Sequence, residues 1–352
     1  MPGNLPSRRP QDWNVANNAY SRIIAQRLAF FDGSAYFQGF SVRDDWLMMG
    51  AWAGLATLAP VLVRLRHGLR GTALAHAWTA TLLTWIALMG VVIVTIIPPS
   101  LRPWANCLWY LAAVVALMPP IAALGARRPI NRAWTWFVLA PLFGVFAWPI
   151  MPVVWPGGVN PGAFDLETPV VVGFVLVSIM GAGNYLGLSH SVSAVLWIAG
   201  LWLIVLPLCP TTAGWMTDPW PARIWAMLCL VGAGWLADRQ VAGRRRAVDV
   251  DVDVGRLPLD RVWGDFRELF GIVWARRIME RFNDDARRQG SQLRLGLHGL
   301  ENTDGSRIDA GVDAASLAAA ETSLRWLLQK FVDTDWINRR MQVDSPANGE
   351  RG

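Results

Sequence analysis

The stretch "ALAHAWTATLLTWIALMGVVIVTII", residues 73 to 97, carries no charged side chain. Folded as a helix that rises 1.5 Å per residue, it exceeds the ~30 Å thickness of a bilayer's hydrocarbon core. A helix of this length on the surface of a soluble protein would need a polar face toward water, and this stretch lacks one. It therefore predicts a membrane-spanning helix.

Six further segments have the same apolar character and reach, or nearly reach, the roughly 18 to 20 residues that a crossing requires. They are Trp46–Val63, Trp104–Leu124, Trp134–Val154, Pro169–Leu188, Val192–Leu208 and Trp220–Ala237. Only "GNYLGLSHS" (183–191) separates the fifth crossing from the sixth, but a run of about 40 apolar residues is too long for one helix. The sequence predicts an all-α integral membrane protein with a bundle of about seven transmembrane helices.

Composition supports this class. Hydrophobic residues make up 53% of the 352 and charged residues 16%, below the roughly 25% of soluble proteins. The net charge of +6 is not concentrated beyond Gln240, where 18 basic residues face 18 acidic ones, so a nucleic-acid-binding domain is excluded. The three cysteines have no C-x-x-C spacing, which argues against a zinc site or a disulfide framework.

Arginines in alternate loops predict the orientation. They follow the first, third and seventh crossings, and the other loops have almost none; they are Arg64, Arg66, Arg70, Arg127, Arg128, Arg132, Arg239 and Arg244 to Arg246. Because such loops stay cytoplasmic, we expect a multi-pass protein of a bacterial-type plasma (inner) membrane, its amino terminus outside and its carboxyl terminus cytoplasmic. The predicted parts are an N-terminal tail with a short amphipathic segment (1–44), the transmembrane domain (45–240), a charged linker (241–256), a cytoplasmic helical domain (257–341) and a disordered tail (342–352).

The linker contains "RRRAVDVDVDVG", residues 244 to 255. A calcium-binding EF-hand loop counted from Asp249 would need glycine at its sixth position, and this position is Val254. The stretch is better interpreted as a stop-transfer arginine cluster followed by a solvated acidic spacer. Its valine alternation allows a short strand.

Beyond the linker, Leu259 to Arg288 is predicted as one long amphipathic helix. Its apolar arc carries a candidate interaction face for a partner protein, made of Trp263, Phe266, Phe270 and Trp274. The other candidate coverings are the inner membrane surface and the chain itself. We expect the face to pack partly on Leu324, Leu328 and Phe331 of a second helix, Ala314–Phe331. "QLRLGLHG" (292–299) alternates like a short strand.

Residues able to carry chemistry are scarce, and we expect no catalytic residue, no metal site and no cofactor. The polar side chains within crossings include Asn106, Asn184 and Tyr185. They are candidate contacts for a polar solute, or hydrogen-bonding groups between helices. His76 and His190 invite a bis-histidine haem, but no carboxylate pattern supports the pair.

The function that these features favour is a non-enzymatic scaffold, sensor or complex subunit that acts through its cytoplasmic domain. Its expected partners are the lipid bilayer and a protein on that domain, with no nucleic acid. The alternative is a carrier of a neutral or weakly polar solute with a 3+1+3 helix repeat, suggested by P-W-x4-W at residues 103–109 and again at 219–225. A membrane enzyme or haem protein is the third class.

Overall fold

The computed structural model describes residues 42–96, 99–126, 132–156, 160–161, 164–213, 218–250, 257–306 and 313–341. The predicted amphipathic segment within residues 1–44 and the tail at 342–352 lie outside these ranges, as do residues 251–256 of the linker.

The first part of the described chain is a bundle of apolar helices. Its elements are α1 (Val42–Ala56), α2 (Ala59–Gly68), α3 (Ala75–Ile96), a 3-10 helix (Pro99–Trp104), α4 (Ala105–Ala116), α5 (Met118–Leu124), α6 (Arg132–Ala147), a 3-10 turn (Trp148–Ile150), α7 (Met151–Val154), α8 (Thr168–Gly183), α9 (Ser191–Val205), a 3-10 turn (Leu206–Leu208), α10 (Pro210–Ala213) and α11 (Trp220–Val250).

Six of the described segments are long and apolar enough to cross a membrane. They are Trp46–Gly68, Ala75–Thr95, Ala105–Leu124, Phe137–Val154, Ser191–Leu208 and Trp220–Arg244. The fifth predicted crossing is shorter than expected, because α8 has 16 residues and the chain turns at Asn184. The chain is thus a multi-pass, membrane-type helical protein.

Prolines lie at the interruptions of two crossings. The third crossing breaks at Leu117, and Pro119 and Pro120 lie in the first turn of α5. The fourth breaks at the 3-10 turn that contains Pro149. A proline supplies no backbone N–H and is tolerated at the start of a helix, where that donor would have no intrahelical partner.

The linker differs from its prediction. α11 continues through the arginine cluster to Val250, so the first residues of the valine alternation, 248–250, are helical and not part of a strand. Arginine, alanine and valine are all compatible with a helix that is already formed, since propagation adds one hydrogen bond per residue fixed. The end of the last crossing and the start of the linker are therefore one continuous helix.

The C-terminal domain is mostly helical. It contains α12 (Pro258–Phe270), α13 (Ile272–Arg288), a hairpin of β1 (Leu293–Leu295) and β2 (Leu300–Asn302), α14 (Ala314–Leu328) and α15 (Thr334–Met341). The hairpin pairs Leu293 with Asn302 and Leu295 with Leu300. β1 lies within the predicted strand, whereas β2 lies where a further strand was not expected.

The prediction of one helix from Leu259 to Arg288 is wrong at a single point. The helix stops at Gly271, which has a φ of +84° and a ψ of 173°, a conformation that is nearly restricted to glycine. Apolar residues keep helical spacing on both sides of this break, so the periodicity alone does not reveal it.

The aromatic side chains of α12 and α13 form the core of the C-terminal domain. Trp263, Phe266 and Phe270 are 0% exposed and Trp274 is 6% exposed. The ring of Phe331 packs against three of them, at centroid distances of 5.5 Å to Phe266, 5.6 Å to Phe270 and 4.9 Å to Trp274. Packing on Phe331 is confirmed, although this residue lies just beyond the end of α14, and Leu324 and Leu328 belong to the same buried cluster. These four side chains are not an open face for another protein.

The tryptophans of the predicted 3+1+3 repeat correspond in position but not in their hydrogen-bond partners. Trp104 and Trp220 each lie at the start of a crossing. The triplet W-I-A also occurs twice, at residues 85–87 and 197–199. The indole N–H of Trp85 donates to the carbonyl of Leu55 on the first crossing, whereas that of Trp197 donates to the carbonyl of Ala116 on the third. An exact repeat would place the second partner on the fifth crossing, so the repeat stays a prediction.

Candidate functional site

Three segments of the bundle meet the C-terminal domain at one end, here called the domain-side end: the loop before α3, the last turn of α5 and the turn after α8. The amide of Ala73 donates to the carbonyl of Phe331 at 2.8 Å. The indole N–H of Trp274 donates to the carbonyl of Ala123 at 3.2 Å, and the amide of Ile272 donates to Asn184 at 2.8 Å. The buried cluster of the C-terminal domain accordingly includes the bundle residues Ala73, Leu74, Ala123 and Ala126. We call these contacts, with those of Glu268 below, the junction.

The first loop is held by a short backbone pairing. Thr72 and Val332 form an antiparallel bridge, flanked by the bond from Ala73 to Phe331 and by a 2.8 Å bond from the amide of Asp333 to the carbonyl of Gly71. Because the flanking residues make the hydrogen bonds, Thr72 and Val332 are the closely spaced, non-hydrogen-bonded pair of the ladder.

Asn184, at the end of α8, fits into the break between α12 and α13. Its side chain is 1% exposed; Nδ2 donates to the carbonyl of Phe270 at 3.0 Å and Oδ1 accepts from the amide of Val273 at 3.1 Å. With its own carbonyl on Ile272, Asn184 satisfies groups that the end of one helix and the start of the next leave without intrahelical partners.

Gly271 makes this fit possible. A Cβ at position 271 would lie 2.2 Å from Nδ2 of Asn184, closer than any non-bonded contact allows. Beside it, the hydroxyl of Tyr185 donates to the carbonyl of Leu269 at 3.3 Å. Burial raises the pKa of Tyr185 to about 12, so the phenol is a neutral donor at physiological pH.

Glu268 is the main charged group of the junction and is 3% exposed. Its Oε2 accepts hydrogen bonds from the amide and the hydroxyl of Ser189, at 3.0 Å and 2.6 Å. Its Oε1 pairs with Arg244 of α11 at 2.6 Å and with Arg267 at 3.1 Å. Burial by itself raises the pKa of Glu268, but the Ser189 bonds and the Arg244 charge outweigh it, and the pKa lies below its ordinary value. The carboxylate is therefore ionised, and each of its oxygens has a partner in the bundle.

His190 extends this network to α11. Its Nδ1 lies 2.9 Å from Oε1 of Gln240, which also accepts from the hydroxyl of Ser193 at 3.2 Å. Since that amide oxygen only accepts, the Nδ1 of His190 carries the proton. Burial lowers the pKa of His190, which outweighs its hydrogen bond to Gln240 and its attraction to Glu268. The imidazole is neutral at pH 7.

The opposite end of the bundle holds the other predicted polar contact. Asn106 lies near the start of α4, and its Oδ1 accepts from Arg223 at 2.5 Å. Arg223 is 3% exposed, and its guanidinium lies 5.4 Å from the ring centroid of Trp109 and 5.5 Å from that of Trp220. Sequence reasoning missed this residue, although a single arginine inside an apolar crossing is itself an indication of a special role.

The candidate solute contacts are thus not brought together. Asn106 lies near the start of the third crossing, whose other end reaches the domain at Ala123, whereas Asn184 and Tyr185 bind the backbone of the domain itself. A cavity of about 60 Å³ between α1, α2, α3, α9 and α11 is lined almost wholly by apolar side chains: Leu55, Leu58, Val61, Leu62, Leu65, Thr81, Thr84, Trp85, Leu88, Trp197, Leu230 and Gly234.

Within the described ranges, no three His, Cys, Asp or Glu side chains are grouped as metal ligands would be. No family model matches the chain, and neither curated proteins nor solved structures give a match. The junction is the densest arrangement of buried polar contacts described above. What it can do chemically is hold two bodies together through charge and hydrogen bonds.

Proposed function

We propose that the chain is a non-enzymatic membrane protein, a scaffold, sensor or complex subunit, whose junction couples the helix bundle to the C-terminal domain. The observation that carries this is the attachment of one small domain to three separate segments of the bundle. A domain that only needed a membrane anchor would require a single tether. Attachment at three segments makes the position of the domain depend on the arrangement of the bundle helices.

The polar groups of the junction make this dependence strong. Separating the two bodies would leave the carboxylate of Glu268 without Ser189 and Arg244, and would leave the amide of Val273 without Asn184. Unpaired buried groups cost about 1 to 3 kcal/mol each, and more when charged. Because losing these contacts is costly, a rearrangement of the bundle helices should move the domain with them instead of breaking the junction.

We further propose that α8 is a seventh crossing. The amide of Leu166, just before α8, donates to the carbonyl of Leu208 at the end of the sixth crossing, and the other end of α8 reaches the domain through Asn184. It thus joins the same two ends of the bundle as its neighbours. Its 16 residues span about 24 Å as a helix, a shortfall that local thinning of the bilayer can accommodate.

The proposed orientation keeps the amino terminus outside and the C-terminal domain in the cytoplasm of a bacterial-type cell, because the arginines of the domain-side loops favour that side. Cysteine labelling tests it. In a background without Cys107, Cys209 and Cys229, an impermeant maleimide should label Asn160→Cys in intact spheroplasts and Arg287→Cys only after lysis. The reverse pattern would invert the orientation.

Coupling is tested by purification from native membranes in mild detergent. We expect a stoichiometric partner to be retained by the natural chain and by Glu280→Ala, which removes an exposed surface carboxylate, and to be lost from Glu268→Ala at equal membrane abundance. Equal retention in all three would contradict coupling through the junction. Uptake of a neutral solute by proteoliposomes of the purified chain would instead support the carrier alternative.

A further inference from the structure

Trp326 differs from the other tryptophans of the C-terminal domain. Trp263, Trp274 and Trp336 are at most 6% exposed, whereas Trp326, in the last turn of α14, is 54% exposed. An exposed indole in water forgoes much of the free energy that burying a large apolar side chain provides. The groups near the exposed ring of Trp326 therefore indicate what could cover it.

The position of the ring is fixed by the first loop of the junction. α14 ends at Leu328, and the carbonyl of Phe331 accepts from Ala73, two residues before the second crossing begins at Ala75. Trp326 lies five residues before Phe331, and the turn between them is tight, because the amides of Phe331 and Val332 both donate to the carbonyl of Leu328, at 2.8 Å and 3.0 Å. The exposed ring is thus within one or two turns of the level at which a membrane-spanning helix starts.

A cation accompanies the ring. The ammonium of Lys330, the only lysine of the sequence, lies 3.8 Å from the ring centroid of Trp326. Arg66 and Arg70, at the end of the first crossing and in the loop after it, are also exposed. Tryptophan prefers the headgroup layer of a bilayer, and lysine buries its stem along apolar surface while its charge stays in water.

We infer that Trp326 and Lys330 insert into the headgroup layer and bind anionic phospholipid, so that the C-terminal domain contacts the bilayer at a second place beside the junction. The inference rests on the proposed membrane insertion. A tryptophan side chain offers at most about 250 Å² of contact, far below the roughly 1,200 Å² of a stable protein interface. The headgroup layer needs no such area, because it already lies beside the domain.

Depth measurement by spin labelling tests the position. Nitroxides are placed at Trp326→Cys, at Val195→Cys on the lipid-exposed side of α9 and at Arg287→Cys on the last turn of α13, in cysteine-free protein in phosphatidylglycerol nanodiscs. Val195 is 51% exposed and serves as the membrane reference; the side chain of Arg287 is 78% exposed and serves as the water reference. Collision with a soluble nickel chelate at 326 should be intermediate between the two.

Lipid retention, measured by native mass spectrometry on the protein with its native cysteines, tests the chemistry. Lys330→Gln should weaken retention of phosphatidylglycerol about fivefold, the factor that corresponds to ~1 kcal/mol for each basic residue near an anionic surface. Trp326→Ser should weaken it further, while Arg287→Gln, the matched control, should leave it unchanged. Phosphatidylcholine retention should not respond to Lys330→Gln.

The outcomes separate the two proposals. If position 326 is as accessible to nickel as 287 while 195 is shielded, the lipid contact is overturned and the membrane topology stands. If 195 is also accessible, the membrane insertion itself fails. If 326 is shielded in native membranes but accessible in nanodiscs, a protein covers it and the lipid contact is again overturned.

Discussion

Ser189 donates two hydrogen bonds to one carboxylate oxygen of Glu268, from its amide at 3.0 Å and from its hydroxyl at 2.6 Å. Ser189 belongs to the turn between α8 and α9, and Glu268 belongs to α12. The other carboxylate oxygen binds Arg244 on α11 at 2.6 Å. A single buried side chain of the C-terminal domain thus holds two separate elements of the bundle.

Replacement of Glu268 by alanine should lower the stability of the junction by about 2 to 3 kcal/mol, because it leaves Arg244 and the donors of Ser189 without their acceptor. The measurement is the melting temperature in detergent. Glu280→Ala removes a carboxylate whose side chain is 58% exposed and paired with Arg276, and it should change stability by less than about 0.5 kcal/mol. Equal effects of the two changes would mean that the Glu268 network adds no stability.

Asn184→Ala should loosen the contact between α8 and the helix break. It removes one acceptor and one donor from the buried backbone of Phe270 and Val273, a loss of about 2 kcal/mol. Amide hydrogen exchange at Ile272 and Val273 should accelerate more than tenfold, since 1.4 kcal/mol corresponds to a factor of about ten. Asn338→Ala removes an asparagine that bonds Arg325 within the domain and should leave those two amides unchanged.

Gly271→Ala, at the break between α12 and α13, should lower the stability more than a glycine-to-alanine change inside α12. The backbone there has a φ of +84°, which costs other residues about 1 to 3 kcal/mol, and the new methyl would overlap Asn184. The control is Gly264→Ala, since Gly264 lies inside α12 with no atom near its absent side chain, and it should gain up to about 1 kcal/mol from helix propensity. A Gly271→Ala variant as stable as the natural chain would show that the helix break is adaptable.

The junction should weaken in two steps as the pH falls. The pKa values of His190 and Glu268 lie below their ordinary values of 6.5 and 4.5, so the separated state binds more protons than the joined state. The stability they contribute is complete above about pH 6.5; it decreases below pH 6.5 through His190 and below pH 4.5 through Glu268. Melting temperatures from pH 8 to about pH 3 should show both steps, since the Glu268 step lies wholly below pH 4.5. His190→Gln should abolish the upper step, whereas His298→Gln, at an exposed hairpin position, should preserve it.

A disulfide should form between Thr72→Cys and Val332→Cys in a chain without the native cysteines. The closely spaced pair of an antiparallel ladder has Cα atoms about 4.5 Å apart, at the short end of the range that a disulfide accepts. Oxidation should shift mobility in non-reducing gels and should restore stability lost in Glu268→Ala. The matched pair Thr72→Cys with Thr334→Cys should cross-link far less.

Several features of the fold are predictable because they depend on properties of neighbouring residues. An uncharged run such as 73–97 predicts a crossing from length and hydropathy alone, and the aromatic spacing from Trp263 to Trp274 predicts a buried face. The break at Gly271 is not predictable in this way, because helical periodicity continues across it. Its cause is Asn184, 87 positions earlier in the chain, and such a pairing leaves no local trace in one sequence.

The residues of the junction likewise divide into those that the sequence indicates and those that only the fold reveals. Asn184 and Tyr185 stand out as polar residues beside an apolar crossing, but only the fold shows that they bind backbone groups of another domain. Glu268 is one of several charged residues on α12, and its burial depends on Ser189 and Arg244 approaching from other elements. Arg223 could have been singled out from the sequence, since a guanidinium inside an apolar crossing is costly unless other groups surround it.

The continuity of α11 has a mechanical consequence. The helix runs without interruption from Trp220 to Val250, about 46 Å at 1.5 Å per residue, with Arg223 held near one end and Arg244 near the other. A continuous helix is a rigid element that can carry a displacement from one of its ends to the other. An event that shifts Arg223 at the far end of the bundle would therefore also move Arg244. Because Arg244 is paired with Glu268, the C-terminal domain would move as well.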